Sequence, residues 1–336
     1  MNEIWVLGAT GRTGSAIAAL LKGEDLVLVG RNRARLAEVA AATGGRPVLT
    51  ADIPSALAAA TPKVVVNTIG RPLLNGGYHY VDLANDVTTI ADVLSRDAAA
   101  EDAGRTLVTG AGFGVLAAES VVLRLCEGRA QPSHVRVDGL AMIEPVPGKV
   151  GEALAGTLVD AISSGGRRYA GGRMVAARLG GDHARLTLPD GTTASTVSVP
   201  TGDLIAAQRA SGAPSVVAAN AEAPSGLAAR AVLPLAAALL SIPAVSRFAK
   251  RRLAAMSPPV KPPARTHSWA RAQATWSDGT TREAWLQAPE GMAFTAAVAA
   301  EVARRLAHDE GRPGAYTPGA LFGASLAEAA GGRFII

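Results

Sequence analysis

The stretch Ile4-Trp-Val-Leu-Gly-Ala-Thr-Gly-Arg-Thr-Gly14 decides the fold of this chain. An apolar strand ends in a glycine-rich turn and leads directly into a helix, the arrangement that holds the pyrophosphate of a dinucleotide. Gly8 permits the sharp turn, Gly11 lets the backbone approach the phosphates, and Gly14 lets the helix pack closely on the strand. The helix N-terminus then offers N–H groups and a positive dipole to the anion. The predicted phosphate contacts are Gly8, Thr10, Gly11, Arg12, Thr13 and Gly14.

The residues after the second strand indicate which dinucleotide binds. NAD-binding proteins usually carry an acidic residue at the end of this strand, where it bonds the ribose 2′-hydroxyl. Here residues 25–30 form an apolar strand, and Arg31 and Asn32 follow it. A guanidinium binds a 2′-phosphate through parallel charged hydrogen bonds, and one such bond contributes roughly 1.5–3 kcal/mol. The sequence therefore predicts NADP, with Arg31 and Asn32 at the 2′-phosphate; the alternative is a solvated basic helix start.

The composition limits the class of protein. The chain has 336 residues, of which 49% are hydrophobic, enough for one large or two moderate domains. Its one cysteine, Cys126, excludes an internal disulfide, and the histidines show no metal-ligand spacing, so no metal is predicted. No apolar run approaches the roughly 20 residues of a membrane span. A strand directly at the N-terminus argues against a signal peptide, and the expected location is the cytoplasm.

The charge does not by itself indicate a nucleic-acid partner. The net charge is +5, but no aromatic-rich basic module accompanies it. Mildly basic enzymes that bind anionic cofactors are common, so nucleic acid is not an expected partner.

The pattern of strands and helices changes after the first third of the chain. Strict alternation up to about residue 110 predicts an α/β fold class, with an N-terminal Rossmann-like, doubly wound parallel sheet. Hairpin turns at Asp190-Gly191 and Asp278-Gly279 predict a second, α+β domain on a mostly antiparallel sheet. We expect a dinucleotide-binding domain at 1–125, with 308–336 packing back on it, and a substrate and dimerisation domain at 126–307.

Two further strand ends are predicted to border the cofactor. The carboxyl end of the fourth strand lies over the ribose and nicotinamide by the switch-point rule, which makes Asn67, Thr68 and Gly70 candidate contacts. Asp52 follows the third strand and either touches the adenine amino group or caps the next helix.

One connection conflicts with a parallel sheet. Only ten residues separate Ile69 from Tyr80, whereas a parallel crossover normally needs a dozen or more. Either the crossover is unusually short, or the next strand is misassigned, or residues are absent from the chain.

A series of short motifs runs through the chain: Gly8–Gly14, Val29–Asn32, Asn67–Gly70, Tyr78–Leu83, Thr109–Gly114, Tyr316–Pro318 and Leu321–Gly323. In this order they resemble the bacterial-type saccharopine dehydrogenase-like NADP-binding oxidoreductases. The resemblance covers most of the chain and is specific over the first 120 and the last 25 residues. It implies a Rossmann domain, a substrate domain on a β-sheet and often a dimer, but no particular substrate. Relatives carry a full helix before the Tyr-x-Asp-Leu strand, and this chain lacks it.

The candidate catalytic residues lie on the fifth strand. The residues four after each tyrosine are Asp82, Ala84, Arg173 and Ala320, so the Tyr-x-x-x-Lys pair of short-chain dehydrogenases is absent. Period-two alternation places Tyr80 and Asp82 on one face of the strand. We predict Tyr80 as the proton donor and Asp82 as the residue that orients it or the substrate. The alternative is that Tyr80 packs in the core and Asp82 caps a helix or bonds backbone N–H groups.

A second glycine loop, Gly110-Ala-Gly-Phe-Gly114, also enters a helix. Gly112 and Phe113 are predicted to line the nicotinamide side, where backbone must come close; an interdomain hinge is the alternative. Glu119 and His267 are the reserve proton donors. His267 shares a strand face with Trp269. This face either lines a substrate pocket or is a solvated surface of the sheet.

A basic, apolar segment lies in the second half of the chain. Residues 223–276 contain no acidic residue and eight Lys or Arg, and the very apolar stretch 232–240 precedes a basic run at 247–252. Such a segment either makes a peripheral membrane contact through 226–255 or is buried in the core or a dimer interface.

These residues together predict an NADPH-dependent reductase that transfers hydride to a C=C, C=N or C=O bond of a small or lipid-like molecule. The expected partners are that small-molecule substrate and a second copy in a homodimer. The alternative from another class is a non-catalytic NADP-binding regulatory protein.

Overall fold

The computed structural model describes residues 2–70, 73–74, 77–144, 152–257 and 263–336, and the chain divides into two compact units. Unit 1 comprises residues 1–84, 88–116 and 292–331, and unit 2 comprises 85–87, 117–291 and 332–336. This division differs from the predicted limits. It falls after Leu116 instead of residue 125, residues 292–307 belong to unit 1, and the last residues belong to unit 2.

The strands within the described residues are short and spread over the whole chain. They are β1 Ile4–Leu7, β2 Leu26–Gly30, β3 Arg46–Leu49, β4 Val64–Asn67, β5 His79–Asp82, β6 Thr106–Val108, β7 His134–Leu140, β8 Gly166–Ala170, β9 Arg173–Ala177, β10 Ala184–Thr187, β11 Thr193–Ser198, β12 Ser215–Asn220, β13 Ser268–Thr275, β14 Thr281–Ala288, β15 Gly314–Tyr316 and β16 Arg333–Ile335.

The helices alternate with the strands at first, and the longest of those described, Gly291–Ala307, is α11. They are α1 Arg12–Leu20, α2 Arg33–Thr43, α3 Ile53–Ala59, α4 Val87–Leu94, α5 Asp97–Asp102, α6 Ala118–Cys126, α7 Glu152–Ser163, α8 Asp203–Ser211, α9 Leu227–Leu240, α10 Pro243–Ala255, α11 Gly291–Ala307, α12 Pro318–Phe322 and α13 Ser325–Ala329. A π-helical segment, Phe113–Ala117, precedes α6.

The sheet of unit 1 is parallel and has the Rossmann order. Its strands lie in the order β15-β6-β5-β4-β1-β2-β3, and every neighbouring pair is parallel. Strands β1, β2 and β4 are buried along their whole length, because helices cover both faces of such a sheet. The order reverses between β1 and β4, which is the switch point where doubly wound sheets bind ligands. The α/β fold class and the parallel N-terminal sheet are therefore confirmed.

The short connection after β4 leads to a parallel strand. Strand β5 pairs with β4 in the register Val64↔His79 to Asn67↔Asp82. The strand assignment is therefore right, and the crossover is short. No helix occurs in the parts of it that the structure describes, 68–70, 73–74 and 77–78. Tyr78 is buried there and its hydroxyl donates to the Leu73 backbone oxygen at 2.7 Å.

Two pairs of consecutive helices are separated by short breaks. Helices α4 and α5 are separated at Ser95, whose hydroxyl donates to the Asp92 backbone oxygen at 2.6 Å and competes with helical hydrogen bonding. Helices α9 and α10 are separated by Ser241 and Ile242, and α10 begins at Pro243, which has no N–H to bond the preceding turn.

Unit 2 is built on a mixed sheet that curls. The strand order is β10-β11-β12-β7-β13-β14-β16, and the pair β12 and β7 is parallel whereas the other neighbouring pairs on this path are antiparallel. Leu186 on one edge strand packs in one apolar cluster with Trp285 and Ile335 near the other edge. The sheet therefore bends round a common core, as expected for a wide, twisted sheet.

A buried ion network lies on this sheet. Asp138 is fully buried and accepts hydrogen bonds from Arg136, from Arg271 at 3.0 Å and from Thr196 at 2.7 Å. Arg271 also pairs with Glu283. Because every charge in this network has a partner, burial is tolerated, and the network holds β7, β13 and β14 in register.

Within the described residues, no single helix is long and apolar enough to cross a membrane. One bent helix pair, Ala231–Leu240 with Pro243–Ala255, reaches that length and apolar composition only when its two helices are taken together.

Candidate functional site

The glycine turn after β1 is held by its neighbours in the sheet. The N–H groups of Gly8 and Ala9 both donate to the Val29 backbone oxygen, at 3.0 and 3.1 Å. Gly8 has φ +79°, which favours glycine, and a side chain there would meet two side chains of the turn after β4 at 2.6 Å. A Cβ on Gly14 would collide with the Gly8 backbone oxygen. Helix α1 therefore begins directly against the end of β1.

Gly11 leaves the N-terminus of α1 open to a ligand. It is the N-cap residue, with φ −78° and ψ 164°, and provides no capping side chain. The first N–H groups of a helix have no partner within the helix, so an uncapped N-terminus favours an anion. The Gly11 backbone is extended, which any residue adopts, and the reason for glycine here is thus space and not conformation.

The end of β2 lies against the same turn. A Cβ on Gly30 would be 3.2 Å from the Thr10 side chain, so the turn and the strand end are in close contact. Arg31 follows and is exposed. Asn32 is the N-cap of α2, where its Oδ1 accepts the Arg35 N–H at 3.1 Å. The structure therefore gives Asn32 a capping role and leaves its predicted cofactor contact as a prediction.

Asp52 also acts as a helix cap. Its carboxylate accepts the backbone N–H of Ser55 at 3.2 Å and the Ser55 hydroxyl at 2.7 Å, at the start of α3. These hydrogen bonds from Ser55 hold the pKa of Asp52 below its usual range. The capping alternative is what the structure contains, and the adenine contact stays a prediction.

The turn after β4 is fixed by Asn67 and Thr68. Thr68 donates to the Leu7 backbone oxygen from its N–H at 3.2 Å and from its hydroxyl at 2.7 Å. The Asn67 amide donates to Gly70 O at 3.1 Å and to the Tyr80 hydroxyl at 2.9 Å. Asn67 is almost fully buried and its side chain shapes the turn, so its contact with a cofactor stays a prediction.

These three turns meet at one edge of the sheet. The register pairs Leu7 with both Val29 and Asn67, so the chain segments that follow β1, β2 and β4 leave the sheet side by side. The edge combines a glycine-rich turn, a helix N-terminus without a capping side chain and the exposed Arg31. This set of groups fits a dinucleotide, whose phosphates need backbone N–H groups and positive charge.

Tyr80 is buried inside the unit. Its side chain has no exposed surface, and it belongs to the apolar cluster beneath the sheet that also contains Trp5 and Val65. Burial raises the pKa of the Tyr80 hydroxyl far above its usual range, and the neighbouring Asp82 carboxylate raises it further. These contacts favour the packing alternative for Tyr80, and its role as proton donor stays a prediction.

Asp82 fastens the ends of β5 and β6 together. Its Oδ1 accepts the Thr109 hydroxyl at 2.9 Å and the N–H groups of Gly110 and Ala84, both at 3.0 Å. Burial raises the pKa of Asp82, although these hydrogen bonds oppose the rise. Three donors on one carboxylate oxygen match the alternative in which Asp82 bonds backbone N–H groups. Its orienting role in catalysis is not tested by this geometry.

Replacing Tyr80 distinguishes the two roles. Tyr80→Phe removes the acceptor of one buried Asn67 hydrogen bond, so we expect the free energy of unfolding to fall by about 1 kcal/mol, with unchanged NADPH affinity. Turnover should stay within about threefold of the parent, because packing is retained. Urea denaturation and steady-state kinetics measure both. A fall in turnover of about 10²–10⁴ at unchanged affinity would instead identify the hydroxyl as the proton donor.

The second glycine loop packs against α11. A Cβ on Gly112 would lie 2.8 Å from the Thr295 side chain, and the Phe113 N–H donates to the Thr295 hydroxyl at 3.1 Å. The Phe113 ring meets Phe294 edge-on, with centroids 6.1 Å apart. The close backbone approach that requires Gly112 is therefore to Thr295, and a contact of Gly112 and Phe113 with the nicotinamide stays a prediction.

The reserve proton donors belong to unit 2 and differ in exposure. Glu119 is fully buried on α6, whereas His267 is exposed just before β13 and lies near the Thr266 hydroxyl at 3.0 Å. Trp269 is not on a solvated face, because it is buried edge-on against Trp285 with centroids 6.3 Å apart. The solvated-surface interpretation is therefore wrong for Trp269.

The sequence analysis missed the contacts of two threonines that form the site. Thr109 and Thr295 fix the loop after β6 through partners that are 27 and 182 residues away in the chain. Thr109 belongs to the motif Thr109–Gly114, but nothing in that motif indicates its hydrogen bond to Asp82, and no local pattern marks Thr295. Only the packing of β5, β6 and α11 identifies these contacts.

Comparisons with known proteins support the fold. No protein-family model matches the sequence, and no curated protein matches it. The structure is similar to apo saccharopine dehydrogenase (L-Glu forming) from Saccharomyces cerevisiae, with a TM-score of 0.61, 11% identity, and coverage of 99% of this chain and 100% of that one. This likeness confirms that the chain has a saccharopine dehydrogenase-like fold, and at this identity it concerns the fold alone.

Two dehydrogenase structures match more weakly. A probable dehydrogenase from Thermotoga maritima has a TM-score of 0.47 and 12% identity, with 98% of this chain and 94% of that one covered. A myo-inositol dehydrogenase from Corynebacterium glutamicum has a TM-score of 0.43 and 14% identity, with the same two coverages of 98% and 94%. These scores are too low to add to the argument.

Proposed function

We propose that this protein is an NADP-dependent oxidoreductase that reduces a C=C, C=N or C=O bond of a small or lipid-like substrate. One observation carries the proposal: the exposed Arg31 follows β2 beside the glycine turn, where NAD-binding proteins place an acid. The fold that the chain shares with saccharopine dehydrogenase supports an oxidoreductase over other nucleotide-binding proteins.

Different residues at this edge of the unit 1 sheet would bind different parts of NADP. The backbone of Gly11 and the first turn of α1 would bind the pyrophosphate, and Arg31 would bind the 2′-phosphate. The turn at Thr68 and Gly70 would border the ribose, since it follows β4 at the switch point. When bound, the nicotinamide supplies hydride chemistry. The chain's own part is to orient the cofactor and keep its charged end at the uncapped helix.

Cofactor selectivity tests the proposal directly. NADPH is expected to bind at least about tenfold more tightly than NADH, because a charged hydrogen bond to the 2′-phosphate contributes roughly 1.5–3 kcal/mol. Arg31→Ala should narrow that ratio, and Arg35→Ala, a matched exposed arginine one turn into α2, should preserve it. Calorimetric titration of both nucleotides measures the ratio. Equal affinities in the unchanged protein would contradict the assignment of NADP.

A non-catalytic NADP-binding regulator remains the second candidate, and the burial of Tyr80 and Asp82 favours it. Neither side chain can reach a substrate at the surface without local rearrangement. An assay of NADPH oxidation against a panel of enones, imines and ketones separates the two functions. Turnover on any of them supports the reductase, whereas tight NADPH binding without turnover across the panel supports the regulator.

A further inference from the structure

We propose that the helix pair α9–α10 docks on an anionic lipid surface. The proposal concerns unit 2 alone and is independent of the reductase activity. It rests on an exposed apolar surface, here called the apolar stripe, whose side chains have exposed fractions between 36% and 65%: Val232, Leu235, Leu239, Ile242, Val245 and Phe248.

The spacing of the stripe follows the helix period. Val232, Leu235 and Leu239 on α9 are three and four residues apart, which places them on one face of that helix. On α10, Val245 and Phe248 are three residues apart and share a face of that helix, and Ile242 lies at the break between the two helices. The chain bends by 111° at this break. Large apolar residues scattered singly need no explanation, but six exposed ones on two consecutive helices and the break between them do.

Positive charge borders the stripe. Arg251 and Arg252 lie three and four residues after Phe248, which makes them its neighbours on the helix, and the Arg252 guanidinium is 5.9 Å from the Phe248 ring centroid. Arg247, Arg251 and Arg252 are exposed, and no ion pair is seen for them within the described part of the chain. Lys250 is different, because it pairs with Asp160 on α7 at 2.6 Å.

This combination favours a lipid surface over a second copy of the chain. An apolar helix face bordered by arginines can insert its large side chains at the acyl boundary while the guanidinium groups reach the headgroups. Because residues 223–276 contain no acid, a symmetric pairing of two such surfaces would bring like charges together without compensation. Anionic lipids provide that compensation.

Vesicle sedimentation with the full chain tests the proposal. We expect binding to phosphatidylcholine vesicles that contain about 30% phosphatidylglycerol, and binding at least about tenfold weaker to pure phosphatidylcholine. The double variant Leu235→Glu/Phe248→Glu should lose at least about tenfold in partition, because both apolar anchors become charged. Arg251→Glu/Arg252→Glu should lose about tenfold or more, since each arginine near an anionic surface contributes about fivefold.

Two control variants test whether a loss of vesicle binding is specific to the stripe and its arginines. Ile336→Glu changes an exposed apolar side chain, and Arg282→Glu an exposed arginine, both in unit 2 and away from the stripe; both should bind like the parent. Circular dichroism verifies folding of every variant. The proposal is overturned if the parent protein binds neither kind of vesicle, or if the Leu235→Glu/Phe248→Glu variant binds vesicles as tightly as the parent. It is likewise overturned if that variant converts a dimer to a monomer in ultracentrifugation while the parent binds no vesicles.

Discussion

Gly11→Val is expected to abolish NADPH binding while the protein stays folded. Gly11 occupies the N-cap of α1, and its extended backbone accepts any side chain. A Cβ there would lie 3.3 Å from the Gly8 backbone oxygen, which requires a shift of only a few tenths of an ångström. The rest of the valine side chain would fill the space that the pyrophosphate needs. Calorimetric titration should detect no binding, and the thermal melt should stay near that of the parent.

Gly14→Ala provides the contrast for this experiment. A Cβ on Gly14 would collide with backbone atoms of Gly8, which cannot yield as a flexible side chain can. This smaller substitution should therefore lower the melting temperature clearly, because α1 must move away from β1. The two results together would assign Gly11 to the ligand and Gly14 to the packing of α1 on β1. Retained NADPH binding in Gly11→Val would mean that the phosphates lie elsewhere on the protein.

Asp82→Ala is expected to lower the free energy of unfolding by roughly 3–5 kcal/mol, because it leaves three donors without their acceptor and each buried unpaired donor costs about 1–3 kcal/mol. The substitution removes the acceptor of the Thr109 hydroxyl and of the N–H groups of Gly110 and Ala84. A loss of that size is a large part of the total stability of a domain. Urea denaturation, followed by the shift of the midpoint, measures it.

Asp82→Asn is the matched variant for the role of this residue. The amide keeps an oxygen at the Oδ1 position for all three donors, so we expect a loss of roughly 1 kcal/mol or less. The Tyr80 hydroxyl is a further hydrogen-bond partner of Asp82, and its oxygen can accept from the new amide group, so that group is not left without a partner. If Asp82→Asn stays folded and binds NADPH but loses turnover, the carboxylate has a catalytic or positioning role beyond its structural one.

Local sequence was sufficient to predict the first strand, turn and helix of this protein. The strand Ile4–Leu7, the glycine turn and helix α1 follow one another in a few residues, and their chemistry depends on backbone geometry that glycine spacing controls. The end of β2 was predicted equally well, because a continuous apolar run is typical of a buried parallel strand and the next residue is Arg31. Predictions of this kind need no knowledge of distant residues.

Roles that depend on distant partners could not be read in the same way. Alternation correctly placed Tyr80 and Asp82 on one strand face, but it could not show that this face is closed by the core beneath β1, β2 and β4. Both strand faces of a parallel sheet in this fold are covered, so a shared face is not evidence of access to substrate.

The sequence by itself determined the parallel sheet, the glycine-rich turn after β1, the arginine that follows β2 and the basic, acid-free segment at 223–276. Only the tertiary structure decided that Asp82 fastens two strands, that Gly112 makes room for Thr295, and that the apolar side chains of α9 and α10 face outwards. The physical reason is that backbone conformation and periodicity are local properties, whereas burial and hydrogen-bond partnership arise from residues far apart in the chain.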